Sequence, residues 1–310
     1  MKFYQSKIKK AKIYLDNHHC IGVPTETVYG LAASAYSSRA IKKIFSLKKR
    51  PKSNPLIVHY LNLSDLKKDC FINDSFLKLY KNFCPGPITF VLKLKKHSKI
   101  SKIVTNKKKT LAVRFPKHSI LIKLLQLLDY PLAAPSANIS TKLSSVKASD
   151  VKEEFGNKLD YILDGGKSKI GIESTIINLT RSPQILRLGG LDISKIEKVL
   201  NQKIGININS FKNISPGQSK LHYSPGIPVR LNIIKPKKKE AYILIKKRNI
   251  KSSHFYYLTK NKNLNEAAKN LYSCLRKIKN DGYKSIAVEK IPNIDIGKSI
   301  NDRLIRASKY

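Results

Sequence analysis

Over residues 205–228 the regular patterning of this chain dissolves into Asn, Ser, Gly and Pro, a composition that connects elements and does not bury a face. On both sides of the break, short apolar strand-like runs alternate with amphipathic helical stretches. The break therefore predicts two α/β units joined by a linker, with boundaries at 1–205, 206–228 and 229–310. In the first unit, strands are expected at 21–23, 56–60, 89–94, 111–115, 161–163, 175–179 and 184–188. Helices are expected at 4–17, 40–48, 64–82, 119–128, 147–155 and 192–200. The second unit reads as strands at 229–234, 241–245, 254–258 and 285–289, with helices at 264–279 and from Gly297 onward. The linker itself carries Ser215-Pro216-Gly217 and His222-Tyr223-Ser224-Pro225.

Hydrophobic residues make up 41% of the 310 positions, enough to form a core in each unit and to exclude a disordered basic tail. No run approaches the roughly 18 consecutive apolar residues of a membrane span. The longest apolar region, 120–128, is broken by Lys123 and Gln126. The Lys-rich amino terminus lacks the apolar core of a signal peptide, so no membrane partner and a cytoplasmic location are expected. Cys20, Cys70, Cys84 and Cys274 are far apart and form no C-x-x-C pair. They read as small buried hydrophobes and not as a disulfide framework or a zinc site.

The formal net charge is +41, which invites a nucleic-acid reading. The excess is spread along the chain, however: 38 basic against 14 acidic side chains over 1–210, and 23 against 6 over 211–310. Lys outnumbers Arg by 51 to 10, a bias shared by other residues with A/T-rich codons. Such a field attracts polyanions at low salt without identifying one. A weak tRNA contact stays open on this ground, yet there is no RRM, KH or dsRBD signature.

Familiar phosphate cradles are missing. Gly166-Lys167-Ser168 resembles the end of a P-loop, but Tyr161 stands where its first glycine belongs, and there is no G-x-G-x-x-G. Metal-ligand spacing is absent too, since His18 and His19 are adjacent; no metal site is expected. Other segments carry residues that core packing does not require. Period-2 alternation puts Leu111, Val113 and Phe115 on one strand face and Ala112 and Arg114 on the other. A strand arginine beside a small residue can grip a carboxylate or phosphate bidentately, or simply face solvent. His59 shares a face with Ile57, in a packed, surface or binding role. Lys48 and Arg50 follow a helix, Pro85-Gly86-Pro87 precedes a strand, and Pro135-Ser136-Ala137-Asn138 follows an apolar segment. Asp164-Gly165-Gly166 reads as a turn, Glu173-Ser174-Thr175 begins a strand, and Arg187 precedes Gly189-Gly190.

Taken in order, these segments resemble the YrdC-type threonylcarbamoyl-AMP synthase family in its long form, with an additional C-terminal domain. The resemblance runs through PTETVYGLAA from Pro24, KIFSLKKRPKSNPLIVH from Lys43, CPGPITFVL from Cys84 and LAVRFPKH from Leu111. It continues through PLAAPSANIS from Pro131, ILDGGKSKIGIESTIINL from Ile162 and ILRLGG from Ile185. The linker's S-P-G and H-Y-x-P and the terminal GKSINDRLIRAS complete it.

The resemblance implies a twisted open mixed sheet around a basic cavity, plus a smaller C-terminal Rossmann-like α/β domain. It implies an enzyme of the nucleotidyltransferase class that joins L-threonine, bicarbonate and ATP into threonylcarbamoyl-AMP and pyrophosphate, with Mg²⁺ accompanying ATP. A downstream tRNA threonylcarbamoyltransferase then modifies an adenosine beside the anticodon. By position, Lys48 and Arg50 form the family's K-x-R, and Ser136 and Asn138 its S-x-N. Thr27, His59, Arg114, Ser136 and Ser174 fall where threonine is held. Lys48, Arg50, Asn54, Thr110, Asn138, Ser144, Arg187 and Tyr223 fall where ATP is held, and the linker bearing Tyr223 is expected to cover the site. Lys48, Arg50 and Arg187 are the candidates for stabilising charge in the transition state; no general base is assigned.

The sequence departs from the pattern in two places. After S-x-N the family reads S-G-x-x-S-P-T, whereas here Thr141, Ser145 and Val146 replace the Gly, Pro and Thr; Leu188 replaces a common proline after the arginine. Two other classes were weighed. A non-catalytic RNA-binding module would have no use for K-x-R, S-x-N, Arg114 and Arg187 together. A carbamoyltransferase of the hydrogenase-maturation type would carry zinc-binding cysteine pairs.

Overall fold

A computed structural model of the chain describes residues 2–207, 222–249 and 252–309. The first part builds one mixed sheet from β1 (Ile21–Val23), β2 (Gly30–Ser34), β3 (Ile57–His59), β4 (Ile88–Lys93), β5 (Thr110–Arg114), β6 (Leu132–Ala133), β7 (Tyr161–Ile162), β8 (Thr175–Asn178), β9 (Gln184–Arg187) and β10 (Gly205–Ile206). Across the sheet the order is β10-β9-β8-β4-β5-β3-β6-β2-β1-β7. Helices α1 (Lys2–Asp16), α2 (Ser38–Leu47), α3 (Leu63–Asp69), α4 (Asp74–Phe83), α5 (Lys102–Thr105), α6 (Ser119–Gln126), α7 (Ala148–Phe155) and α8 (Ile193–Leu200) connect the strands. The second part is a parallel sheet, in order β11-β14-β12-β13, of β11 (Val229–Arg230), β12 (Ala241–Lys246), β13 (Phe255–Thr259) and β14 (Ile286–Val288), with α9 (Leu264–Asn280) and α10 (Asp295–Ala307). No helix among the described residues is long and apolar enough to cross a membrane.

Strand alternation decides where the site can lie. Val58, Phe90, Val113 and Ile177 face the main core, where they meet Ile44, Phe76 and Ile196 from the helices. Their neighbours Ile57, Val91, Ala112 and Ile176 join Leu186 in a small separate cluster on the opposite face. On that thinly covered face the strand ends carry polar side chains. His59 is paired with Arg114 across β3 and β5, and Arg114 with Thr89 across β5 and β4.

Several elements differ from the sequence reading, which named neither α5 nor β6. The helix expected over 64–82 is two helices. Cys70 turns extended (φ −124°, ψ 153°), and the Asn73 side chain caps a new helix by accepting the Phe76 amide at 2.9 Å. β2 was not foreseen because Gly-Leu-Ala-Ala-Ser lacks the β-branched residues that mark strands; it is fixed by pairing with β1 and β6. β10 pairs parallel with β9 at the point where the linker was expected to begin. β11 ends at Arg230, short of the strand read to 234, as Asn232 takes a positive φ of 57°. Ser215-Pro216-Gly217 lies outside the described residues.

The second sheet's helices pack directly on the first unit. Val28, Leu143, Val146 and Ile172 share one apolar cluster with Leu271, Tyr272, Ile300 and Leu304. The two units approach closely at Gly171 (φ +82°), where a Cβ would stand 2.4 Å from the Lys269 backbone.

Candidate functional site

A row of polar side chains crosses the open face of the large sheet. Starting from β3 it passes through His59, Arg114 on β5, Thr89 on β4, Ser174 before β8 and Arg187 on β9. Thr89 Oγ1 lies 2.7 Å from Ser174 Oγ. Arg187 donates from Nε and Nη2 to Ser174 O at 3.1 and 3.0 Å, and from Nη2 to Ser174 Oγ at 3.1 Å. This row forms the floor of a cavity whose remaining wall includes Thr25, Arg50, Ser136, Glu173, His222 and Tyr223. The free space is about 40 Å³, room for a few water molecules.

The cavity is cationic, and its charges are poorly compensated. Arg50 donates to the backbone, from Nε to Asn54 O at 3.0 Å and from Nη2 to Pro55 O at 2.9 Å; no carboxylate pairs with it among the described residues. Burial and the neighbouring Arg187 push its pKa down to about 9. Arg187 is lowered by burial, with Arg303 and Arg114 adding to the effect against Tyr223 and Glu173. Lys48, buried at the C-cap of α2, is held well below the usual ammonium range by burial and by Arg50. Crowded like charges of this kind await an anion.

Arg114 is paired: its Nη2 lies 2.8 Å from Glu26 Oε1, both side chains being almost fully buried. His59 is depressed to about 3 by burial and by Arg114, against a weaker pull from the Leu132 backbone. It is therefore a neutral imidazole, able to donate one hydrogen bond and accept another. His222 is likewise pushed to about 3, by burial first, with Lys48, Arg50 and Arg187 reinforcing it against Glu173. Several buried polar atoms around the cavity lack a hydrogen-bond partner among the described residues, including Asn54 Oδ1, Asn138 Oδ1, His222 Nδ1 and Tyr223 Oη.

Seven of the sequence-derived candidates line the cavity: Arg50, His59, Arg114, Ser136, Ser174, Arg187 and Tyr223. Others stand just behind the wall. Lys48 Nζ donates to Ser136 O at 2.6 Å and to Asn138 O, so the K-x-R lysine ties down the S-x-N loop. Asn138 Nδ2 donates to Ile139 O and Lys142 O, at 2.8 and 2.9 Å. Thr27 is buried behind Thr25, with their hydroxyl oxygens 2.8 Å apart. Ser144 Oγ donates to Glu173 Oε1 at 2.6 Å. Thr110 is not brought into the cavity. It begins the strand that Arg114 ends, about 13 Å away at ~3.3 Å per residue, and borders a lysine-rich groove instead.

Glu173 acquired no role from the sequence, yet it is the wall's one buried carboxylate among the described residues. Burial pushes its pKa up, but Arg303, Arg187 and the Ser144 hydroxyl overcome this and hold it at about 2. The other missed residue is Arg303 itself. The signal was present: Ile296, Ile300, Leu304 and Ala307 form the buried stripe of α10, and Arg303 falls within it. Among the described residues there is no cluster of three or more His, Cys, Asp or Glu able to hold a metal. The one acid in the wall is committed to Arg303.

Comparison with known proteins agrees with this geometry. The Sua5/YciO/YrdC family model, described as telomere recombination, matches residues 14–189. The model for the threonylcarbamoyl-AMP synthase C-terminal domain matches residues 191–309. The threonylcarbamoyl-AMP synthase of Pyrococcus abyssi is 35% identical, over 98% of this chain and 94% of its own length. That of Bacillus subtilis is 32% identical, over 97% and 93%. The crystal structure of P. abyssi Sua5 complexed with L-threonine superposes with a TM-score of 0.90 at 34% identity, covering 98% of this chain and 94% of that one.

Proposed function

The chain belongs to the Sua5/YciO/YrdC family, in the form that carries the threonylcarbamoyl-AMP synthase C-terminal domain, and from that membership we infer that it is a threonylcarbamoyl-AMP synthase serving the threonylcarbamoyladenosine modification of tRNA. Its substrates are L-threonine, bicarbonate and ATP, its chemistry is that of a nucleotidyltransferase, and its product passes to a tRNA threonylcarbamoyltransferase. A cytoplasmic site of action belongs to the same reading, as does the division into a catalytic unit (1–205), a linker (206–228) and a C-terminal unit (229–310).

The observation that carries the inference is the row His59–Arg114–Ser174–Arg187 facing Arg50 across one cavity. Threonine lies at the β3–β5 end. Arg114 exchanges Glu26 for the substrate carboxylate, neutral His59 meets the hydroxyl, and Ser136 and Ser174 complete the hold. Thr27 acts through Thr25. ATP lies toward Arg50 and Arg187, with Asn54, Asn138 and Ser144 shaping that end and Lys48 bracing Ser136 and Asn138 from behind. Tyr223 roofs it.

In the reaction the threonine amine adds to the carbon of bicarbonate, a C–O bond breaks and water leaves, and an oxygen of the resulting carbamate attacks the α-phosphorus. The bond from that phosphorus to the bridging oxygen breaks, and pyrophosphate leaves with the electron pair. Negative charge moves toward the leaving group, where Arg50 and Arg187 are already fixed and dry, so little reorganisation is required. Mg²⁺ accompanying ATP would take its ligands from the phosphates; Glu173 is committed to Arg303, and no step is assigned to the ion. With so little free space, His222 and Tyr223 must draw back to admit ATP, and on returning they shield the carbamate from water.

The test is pyrophosphate release from ATP with threonine and bicarbonate supplied or withheld. Release should need both; release that ignores either co-substrate overturns the reading.

A further inference from the structure

The C-terminal unit reaches into the cavity wall through one buried cation. Arg303 on α10 is 1% exposed. Its Nε donates to Glu173 Oε2 at 2.9 Å, its Nη2 to Leu188 O at 2.7 Å and its Nη1 to Asp302 Oδ2 at 2.6 Å. The guanidinium carbon also lies 4.9 Å from the centre of the Tyr223 ring. Tyr272 on α9 supports the same two partners. Its hydroxyl stands 3.1 Å from both Glu173 oxygens, and its ring stacks with Tyr223 at 5.8 Å and 25°.

Each contact falls beside a residue of the proposed site. Glu173 precedes Ser174, Leu188 follows Arg187, and Tyr223 is the roof. One guanidinium on α10 thus fixes three points of the cavity that lie 80, 115 and 130 residues away in sequence. Burying such a charge is costly, and a fully buried arginine on an apolar helix stripe is not what packing alone selects. A planar fork can bridge two acceptors while lying against an aromatic ring; an ammonium cannot.

We propose that Arg303 is a positioning residue of the synthase site, which holds Glu173 and the loop after Arg187 in register and keeps Tyr223 seated over the cavity. The C-terminal unit is then part of the catalytic apparatus, and its buried arginine couples closure of the roof to alignment of Ser174 and Arg187. The proposal rests on the synthase reading for its kinetic consequences and on geometry alone for its effect on Tyr223.

The test uses the full chain with Arg303→Met, Arg303→Lys, Tyr223→Leu, the Arg303→Met/Tyr223→Leu pair and, as a control, Ser299→Ala. The control removes a different bridge between the units, Ser299 Oγ to Gly189 O at 2.9 Å. Arg303→Met should lower kcat ten- to a hundredfold, the scale of losing charged hydrogen bonds. Arg303→Lys should recover part of that loss. In the Tyr223→Leu background Arg303→Met should cost markedly less than in the parent, because the shared roof is already lost. Ser299→Ala should stay within about twofold of the parent.

Independent, additive losses would overturn the positioning role. Hydrogen exchange at residues 222–224 gives a readout free of activity: faster exchange in Arg303→Met is expected, and unchanged exchange in folded Arg303→Met and Arg303→Lys rejects the proposal. An unaltered protein that releases no pyrophosphate overturns the synthase reading instead, and leaves the exchange experiment to decide on Arg303.

Discussion

Thr141 sits in the left-handed region at φ +75°, where a β-branched side chain is strained by about 1–2 kcal/mol. It is also the position at which the family motif has glycine. The strained peptide is engaged, because Thr141 O accepts the Ser224 amide at 2.8 Å, immediately after the roof residue Tyr223. Lys142 and Ser224 pair as an isolated bridge. The loop after S-x-N therefore meets the segment that covers the cavity. Thr141→Gly should relieve the strain while giving back roughly 0.5–1 kcal/mol in unfolded-state entropy. We expect a net stabilisation of up to about 1 kcal/mol, a rise of roughly 1–2 °C in Tm for a chain of this size. A fall in Tm under thermal unfolding would mean that the threonine side chain contributes more than its backbone costs.

Among elements, the junction between α9 and the segment before β8 depends on the absence of one side chain. At Gly171 a Cβ would lie 2.4 Å from Lys269 Cα and 2.7 Å from the Ala268 and Lys269 carbonyl oxygens. These are all backbone atoms of a helix that cannot yield locally. Gly171→Ala should therefore push α9 outward, pulling Tyr272 from Glu173 two residues away. Positive φ and overpacking together predict a loss of about 2–4 kcal/mol, with activity falling in parallel; a denaturation midpoint within 0.5 kcal/mol of the parent would show that α9 is free to shift.

This junction also marks the limit of what the sequence could disclose. Arg114 and His59 were legible because strand alternation is local: it places them on the face away from Val113 and Val58. The K-x-R and S-x-N groups were legible only through resemblance, since nothing local says that Lys48 braces Ser136 across 88 residues. β2 was hidden by alanines that are strand only because β1 and β6 flank them. Glu173 and Arg303 were hidden because their meeting depends on how two sheets dock.

For the molecule as a whole, the +41 charge divides into two populations that respond differently to salt. Exposed lysines are screened beyond about 10 Å at 0.1 M ionic strength. Arg50 and Arg187, buried within the wall, and Lys48 behind it are not. Their pKa values are lowered by burial first and by neighbouring cations second, so an anion beside them relieves a cost that solvent does not. A multivalent anion of the right size should therefore stabilise the whole fold beyond any general salt effect. At a hundred times its Kd, a ligand of the native state adds about 2.7 kcal/mol, or roughly 4 °C in Tm for 310 residues. Inorganic pyrophosphate should produce such a rise and retain most of it in 0.3 M sodium chloride, whereas Arg50→Ala should abolish most of it. If the rise vanishes with salt, or survives Arg50→Ala intact, the anion is bound by the diffuse surface field and the buried cations do not form the phosphate site.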